Sequence, residues 1–180
     1  MRKSIKKALK ITEKCIQWFI LAILIIFIGI NLYMNISVSM GNPVPTVFGV
    51  SYLNVGGGSM EPEIKKGSLV IVKKQKSYAV GDVVTYVLPN EKTPVTHKIM
   101  SIDGSSITTQ GVSAYNNTPD PAFDVSLIRG KVTSYYAGVG SFLEWLKSAY
   151  GIITIVALGG IILIAPSIIR GIFAKDDDEN

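Results

Sequence analysis

Ser68-Leu69-Val70-Ile71-Val72 and Asp82-Val83-Val84-Thr85-Tyr86-Val87-Leu88 lie in the middle of the chain. Both are short, rich in β-branched residues and bounded by Gly, Pro, Asn or Asp, which is the pattern of β-strands. Val95 to Ile102 and Ile107 to Thr109 repeat the pattern. Asp103-Gly104 between these two predicts a turn, with His97 on one arm of the resulting hairpin. Lys66-Gly67 is another turn signal. Residues 111–124, rich in Asn, Asp and Pro, predict an irregular loop. The central region is therefore expected to be mostly β.

On both sides of this region the composition changes. Residues 16–33 form an apolar run without a charged residue, preceded by Arg2, Lys3, Lys6, Lys7, Lys10 and Lys14. This predicts a membrane helix with its N-terminus in the cytoplasm. The rival reading is a cleavable signal peptide ending near Ser37-Val38-Ser39, but the run exceeds the ~7 to 15 apolar residues usual for one. A second uncharged run covers residues 150–169, interrupted by Gly159-Gly160 and Pro166, with Trp145 and Tyr150 at its start. At 1.5 Å per residue it also suffices for ~30 Å of hydrocarbon. The expected organisation is a basic N-terminus (1–15), a first span (16–36), an outer β domain (37–145), a second span (146–170) and an acidic tail (171–180) on the same side as the N-terminus.

The charge distribution excludes one class of partner. Of the net +5, residues 1–15 supply +5 by themselves, whereas the middle is nearly balanced and the tail is acidic. No basic patch with interleaved aromatics stands out, so nucleic acid is not an expected partner. The single cysteine, Cys15, rules out an internal disulfide and any cysteine-rich metal site.

Two short segments carry chemistry. Gly56-Gly57-Gly58-Ser59-Met60-Glu61-Pro62 places a serine behind three glycines, and Thr96-His97-Lys98-Ile99 contains the only histidine. A serine becomes a nucleophile when a base takes its proton, and glycines ahead of it let backbone N–H groups approach a developing oxyanion. Taken singly, each segment has an ordinary explanation, a surface turn and a strand histidine.

The order Ser59-Met60-Glu61-Pro62, Lys66-Gly67-Ser68-Leu69-Val70, Val80-Gly81-Asp82-Val83-Val84, Thr96-His97-Lys98-Ile99 resembles the type I signal peptidases. The resemblance covers roughly residues 55–132 and extends to the arrangement of apolar ends. Common bacterial members carry a lysine base where this chain has His97. The endoplasmic-reticulum type, also found in archaea and some Gram-positive bacteria, carries histidine. Lys98 is adjacent, but neighbours on a strand point to opposite faces, and the family register puts His97 at the base position.

The resemblance implies a signal peptidase-like β fold flanked by two transmembrane helices. It implies that Ser59 is the nucleophile and His97 the general base, a role suited to imidazole with its ordinary pKa of ~6.5. Asp120, before Pro121, matches the acid that orients the base, with Asp124 in reserve because the loop is longer than usual. Val112 stands where relatives carry another acid, and Gly57 where many carry a serine that assists the oxyanion hole. Gly57, Gly58 and Met60 would then form the oxyanion and substrate pocket. No metal or organic cofactor is implied. The implied partners are precursor proteins bearing signal peptides, membrane lipid and the secretion machinery. The alternative is a catalytically weak or silent membrane-anchored β domain that binds or assembles exported proteins. Self-cleaving repressors share the nucleophile logic without two spans.

Overall fold

The computed structural model describes residues 2–89, 91–115 and 118–176. The Asn116-Asn117 part of the loop and the tail from Asp177 onward lie outside the described residues. The elements are α1 (Arg2–Ser39), β1 (Val50–Asn54), β2 (Leu69–Lys73), β3 (Val83–Tyr86), β4 (Val95–Asp103), β5 (Ser106–Gln110), β6 (Phe123–Asp124), β7 (Ile128–Tyr136), α2 (Val139–Lys147) and α3 (Ala149–Asp176). A 3₁₀ turn, Val125–Leu127, precedes β7.

The chain divides into two compact units. One comprises residues 33–144 and holds the sheet. Its seven strands are ordered β1-β2-β7-β3-β4-β5-β6 and every pairing is antiparallel. The four expected strands are present within one or two residues at most ends. The hairpin is there as well: Asp103 pairs with Ser106 across Gly104-Ser105, and Gly104 takes φ 58°, a left-handed value that glycine adopts without steric cost.

Three strands were not anticipated. β1 and β6 are edge strands, and β6 makes part of the expected irregular loop regular. β7 is the larger omission, because it inserts between β2 and β3. Its sequence, Ile128-Arg129-Gly130-Lys131-Val132-Thr133-Ser134-Tyr135-Tyr136, mixes charge and glycine into what is a central strand. Register shifts opposite Ile71/Val72 and Thr85/Tyr86 interrupt its ladders with both neighbours. Such bulges obscure a two-residue alternation in the sequence.

Two apolar clusters form on this sheet. Val84, Tyr86, Ile99, Ile107, Phe123 and Ile128 make one; Met60, Ile64, Val70 and Val72 make the other, with Val83, Val112 and Val132 packed against it. Adjacent Val83 and Val84 thus serve different clusters, as alternation requires. β7 also serves both, through Ile128 and Val132.

The other unit comprises the helical segments before Tyr33 and after Glu144. From Lys14 to Ser39, α1 supplies 26 residues, long and apolar enough to cross a membrane. Its large apolar side chains, Ile16, Trp18, Phe19, Ile23 and Ile26 among them, are exposed, and so is Cys15. Such an apolar surface is stable in hydrocarbon but costly in water. The second apolar run (150–169) lies within α3, but the expected second span (146–170) is not one helix. It breaks at Ser148, whose hydroxyl donates to the Trp145 carbonyl at 2.6 Å and accepts the Gly151 N–H at 3.2 Å. Ser148 therefore ends α2 and caps α3 at once. Among the described residues only the Lys14–Ser39 helix passes by itself as a membrane span.

Gly130 is the tightest point of β7. A Cβ added there would lie 2.7 Å from the carbonyl carbon of Lys73 on β2. Gly130→Ala is expected to destabilise the chain by about 1–3 kcal/mol through this overpacking. Denaturant unfolding of the detergent-solubilised chain checks it, and an unchanged midpoint would show that β2 and β7 can separate without loss.

Candidate active site

The segment between β1 and β2 is a closed loop held at its neck. Val55 N–H donates to the Ser68 carbonyl at 2.9 Å, and Gly67 N–H to the Val55 carbonyl at 2.8 Å. Inside it, Glu61 N–H reaches the Gly58 carbonyl at 3.1 Å and Ile64 N–H the Met60 carbonyl at 2.8 Å. Met60 and Ile64 are fully buried in the second cluster and act as two pegs. Ser59 is left half-buried beside exposed Gly57 and Gly58. A further tie comes from across the domain, where Ser113 N–H donates to the Ser59 carbonyl at 2.9 Å.

His97 sits on β4, paired with Val84 of β3, and is 8% exposed. Its Nε2 lies 3.0 Å from Ser59 Oγ and its Nδ1 2.6 Å from Asp120 Oδ2. Asp120 is fixed by its own backbone, whose N–H donates to the Thr109 carbonyl of β5 at 2.8 Å. The same Oδ2 accepts the Thr109 hydroxyl at 2.6 Å and the Tyr86 hydroxyl at 3.1 Å. Serine, imidazole and carboxylate therefore form a continuous hydrogen-bonded line. Such a line can carry a proton from the hydroxyl to the ring while the carboxylate holds the ring in place.

Tyr86 is buried and stacks on Phe123 with ring centroids 4.2 Å apart. Burial, reinforced by the Asp120 carboxylate, pushes its phenol up to about 12, although the Thr109 hydroxyl acts in the opposite direction. The phenol thus keeps its proton under ordinary conditions and serves as a donor.

The remaining sequence candidates occupy different places. Lys98 Nζ is bound to Glu63 Oε2 at 2.6 Å, so the ammonium next to the histidine is engaged elsewhere. Asp124 is exposed and caps the 3₁₀ turn, accepting the Ser126 N–H at 2.9 Å. Hydrogen bonds from Ser126, side chain then backbone, and from Ser105 hold its carboxyl below the usual carboxylate range. Val112 packs against the Met60 cluster. Met60 is both core and wall, because with Leu53, Val55, Val70 and Val95 it lines a cleft of about 210 Å³ that includes Ser59 and Gly57. A larger cavity of about 510 Å³, lined by Glu63, Asp82, Lys131 and further β7 residues, contains none of Ser59, His97 and Asp120. The smaller cleft is the one that adjoins the hydrogen-bonded line.

Sequence reasoning missed Thr109, Tyr86 and Ser113. The first two lie inside expected strands and look like ordinary β-formers. Only the pairing of β3, β4 and β5 brings their hydroxyls to one carboxylate oxygen.

A family model described as Peptidase S24-like matches residues 35–119. Signal peptidase I W of Bacillus subtilis (strain 168) is 44% identical over 61 residues, which cover 32% of this chain and 32% of that protein. The signal peptidase complex catalytic subunit SEC11 of Yarrowia lipolytica is 28% identical over 126 residues, covering 67% of this chain and 62% of that protein. The chain thus spans less than two thirds of the length of either relative.

The raised phenol of Tyr86 gives a stability prediction. Its folded pKa, about 12, exceeds the ordinary value of 10.0. The associated stabilisation is therefore complete below pH 10 and is lost as the pH climbs through 12. Tyr86→Phe is expected to lose less stability than the unaltered chain between about pH 8 and about pH 11. Unfolding midpoints at the two pH values check this, and parallel losses would contradict it.

Proposed function

We propose that the chain is a type I signal peptidase of the endoplasmic-reticulum type, a membrane-anchored serine endopeptidase that removes signal peptides from exported precursors; its similarity to the Peptidase S24-like family and to two signal peptidases supports this reading. The observation that carries this reading is the line Ser59 Oγ, His97 Nε2, His97 Nδ1, Asp120 Oδ2, with links of 3.0 and 2.6 Å. Two such contacts on opposite sides of one buried imidazole are the arrangement that base-assisted attack by a hydroxyl requires.

In the proposed reaction the Asp120 carboxylate accepts a hydrogen bond from the Nδ1–H of His97. The Nε2 lone pair then faces Ser59 Oγ. Ser59 attacks the scissile carbonyl as its proton passes to Nε2, giving a tetrahedral intermediate. The Ser59 N–H and an N–H of the glycine run stabilise its oxyanion. Imidazolium next donates the proton to the leaving amine, and the acyl-enzyme forms. Water, deprotonated by the same nitrogen, releases the acid and regenerates Ser59. Asp120 stays ionised throughout. Gly57 offers no hydroxyl, so backbone donors carry the whole oxyanion load.

The cleft of about 210 Å³ beside Ser59 suits a small side chain next to the scissile bond. An extended precursor segment would lie along an exposed strand, adding main-chain hydrogen bonds. The Lys14–Ser39 helix is the anchor, with the basic N-terminus in the cytoplasm. α3 supplies a second span, so that the β domain works at the outer face of the cell membrane. Anchoring confines enzyme and precursor to the same surface. Contact with the secretion machinery would deliver precursors as they emerge.

Precursor cleavage by the full chain in detergent or proteoliposomes tests the reading. Ser59→Ala and His97→Ala should each lower turnover by at least about 10³-fold, because they act as one unit. Comparable cleavage by Ser59→Ala and the unaltered chain would end the proposal. Asp120→Ala should lose about 10²- to 10⁴-fold. Asp124→Ala should stay within about twofold, as a change at an exposed cap does, and the reverse ranking would transfer the orienting role. Lys98→Ala should keep most of its turnover, since removing an exposed ion pair costs about 0–1 kcal/mol.

A further inference from the structure

Asp120 Oδ2 has three side-chain neighbours at hydrogen-bond distance: His97 Nδ1 and Thr109 Oγ1, each at 2.6 Å, and the Tyr86 hydroxyl at 3.1 Å. The proton inventory of this cluster is restrictive. Thr109 has a single hydroxyl proton. Its oxygen lies 2.6 Å from Asp120 Oδ2 but 3.3 Å from the Tyr86 oxygen, so the proton belongs to the carboxylate. The Tyr86 proton then has Asp120 as its acceptor. With two hydroxyls donating, Oδ2 is an acceptor only, and the third neighbour must also donate. That neighbour is His97 Nδ1, which leaves Nε2 as the acceptor facing Ser59.

We propose that Thr109 and Tyr86 are positioning residues that hold Asp120 as an acceptor-only carboxylate and thereby select the His97 tautomer able to deprotonate Ser59. The inference rests on the Ser59–His97–Asp120 reading and adds to it the groups that fix the state of the acid. Thr109 is the stronger of the two, having the shorter bond and no exposed surface. It also controls position through the backbone, since its carbonyl accepts the Asp120 N–H at 2.8 Å. Side chain and main chain of one β5 residue thus fix both ends of Asp120. The donors have an electrostatic effect as well, because they spread the carboxylate charge over two hydroxyls and so weaken its pull on an imidazolium.

The test uses Thr109→Val, which conserves shape while deleting the hydroxyl, Thr109→Ser, which retains it, and Tyr86→Phe. Precursor cleavage by the full-length chain is measured across pH, alongside thermal unfolding. For Thr109→Val we expect kcat to fall by about 10- to 100-fold, the loss of a hydrogen bond to a charged group, with KM within about twofold. The acid limb of its kcat/KM profile should move to higher pH. Tyr86→Phe should move both quantities in the same directions by less. Thr109→Ser should recover most of the kcat lost in Thr109→Val and return the acid limb toward its original position. A Thr109→Val chain with lowered stability but unchanged kcat and acid limb would overturn the inference, and so would equal kcat losses in the Val and Ser variants. Ser59→Ala in the same assay separates the two levels: its full activity would remove the underlying reading, whereas its inactivity beside an unaltered Thr109→Val removes only the positioning role.

Discussion

Strand β7 is the constraint on which the other features depend. It pairs with β2 on one side and β3 on the other, and so makes one sheet of two groups of strands that, among the described residues, have no other ladder between them. The loop carrying Ser59 is pegged by Met60 and Ile64 into the cluster on the β2 side, whereas His97 belongs to the β3–β4 pair. The 3.0 Å contact between them is therefore fixed by the sheet, whose strand spacing of about 4.8 Å varies little. Gly130 lets the backbones of β2 and β7 approach closely at this junction.

A second constraint acts on the polar groups. Asp120, His97, Thr109 and Tyr86 are mostly withdrawn from water, and a buried donor or acceptor left unmatched costs about 1–3 kcal/mol. Their mutual arrangement meets this requirement, with each hydroxyl and the imidazole turned to one oxygen. The same satisfaction that stabilises the interior also reduces the freedom of the imidazole. Stability and chemical readiness thus come from one set of hydrogen bonds. Outside the cluster, the Lys98–Glu63 pair links β4 to the Ser59 loop, but it is partly exposed and contributes little energy.

Several features were legible because their signals are local. A run of β-branched residues, an Asp-Gly turn and an uncharged stretch behind basic residues need no distant partner to be read, and they yielded β2 to β5, the hairpin and the Lys14–Ser39 helix. Alternation also separated His97 from Lys98, which the structure finds bound to Glu63. Where the signal was local but ambiguous, the structure adds detail that the sequence left open. Residues 146–170 look continuous in hydropathy, yet the hydroxyl of Ser148 divides them. Asp124 offered a carboxylate near Asp120 in sequence, and capping of the 3₁₀ turn gave it another task.

The amino-acid sequence by itself determined the β character of the centre, the apolar helix at the N-terminal side and the pairing of Ser59 with His97 as candidates. These depend on residue type, short-range period and motif order. Tertiary structure alone decided that β7 returns to the middle of the sheet and that Tyr86 and Thr109 share one oxygen of Asp120, and it brings Asp120, the acid that the motif order already favoured over Asp124, against His97. The physical reason is separation along the chain. Asp120 lies 23 positions from His97 and 34 from Tyr86, so their contact is set by strand pairing and burial, for which no local propensity carries a record.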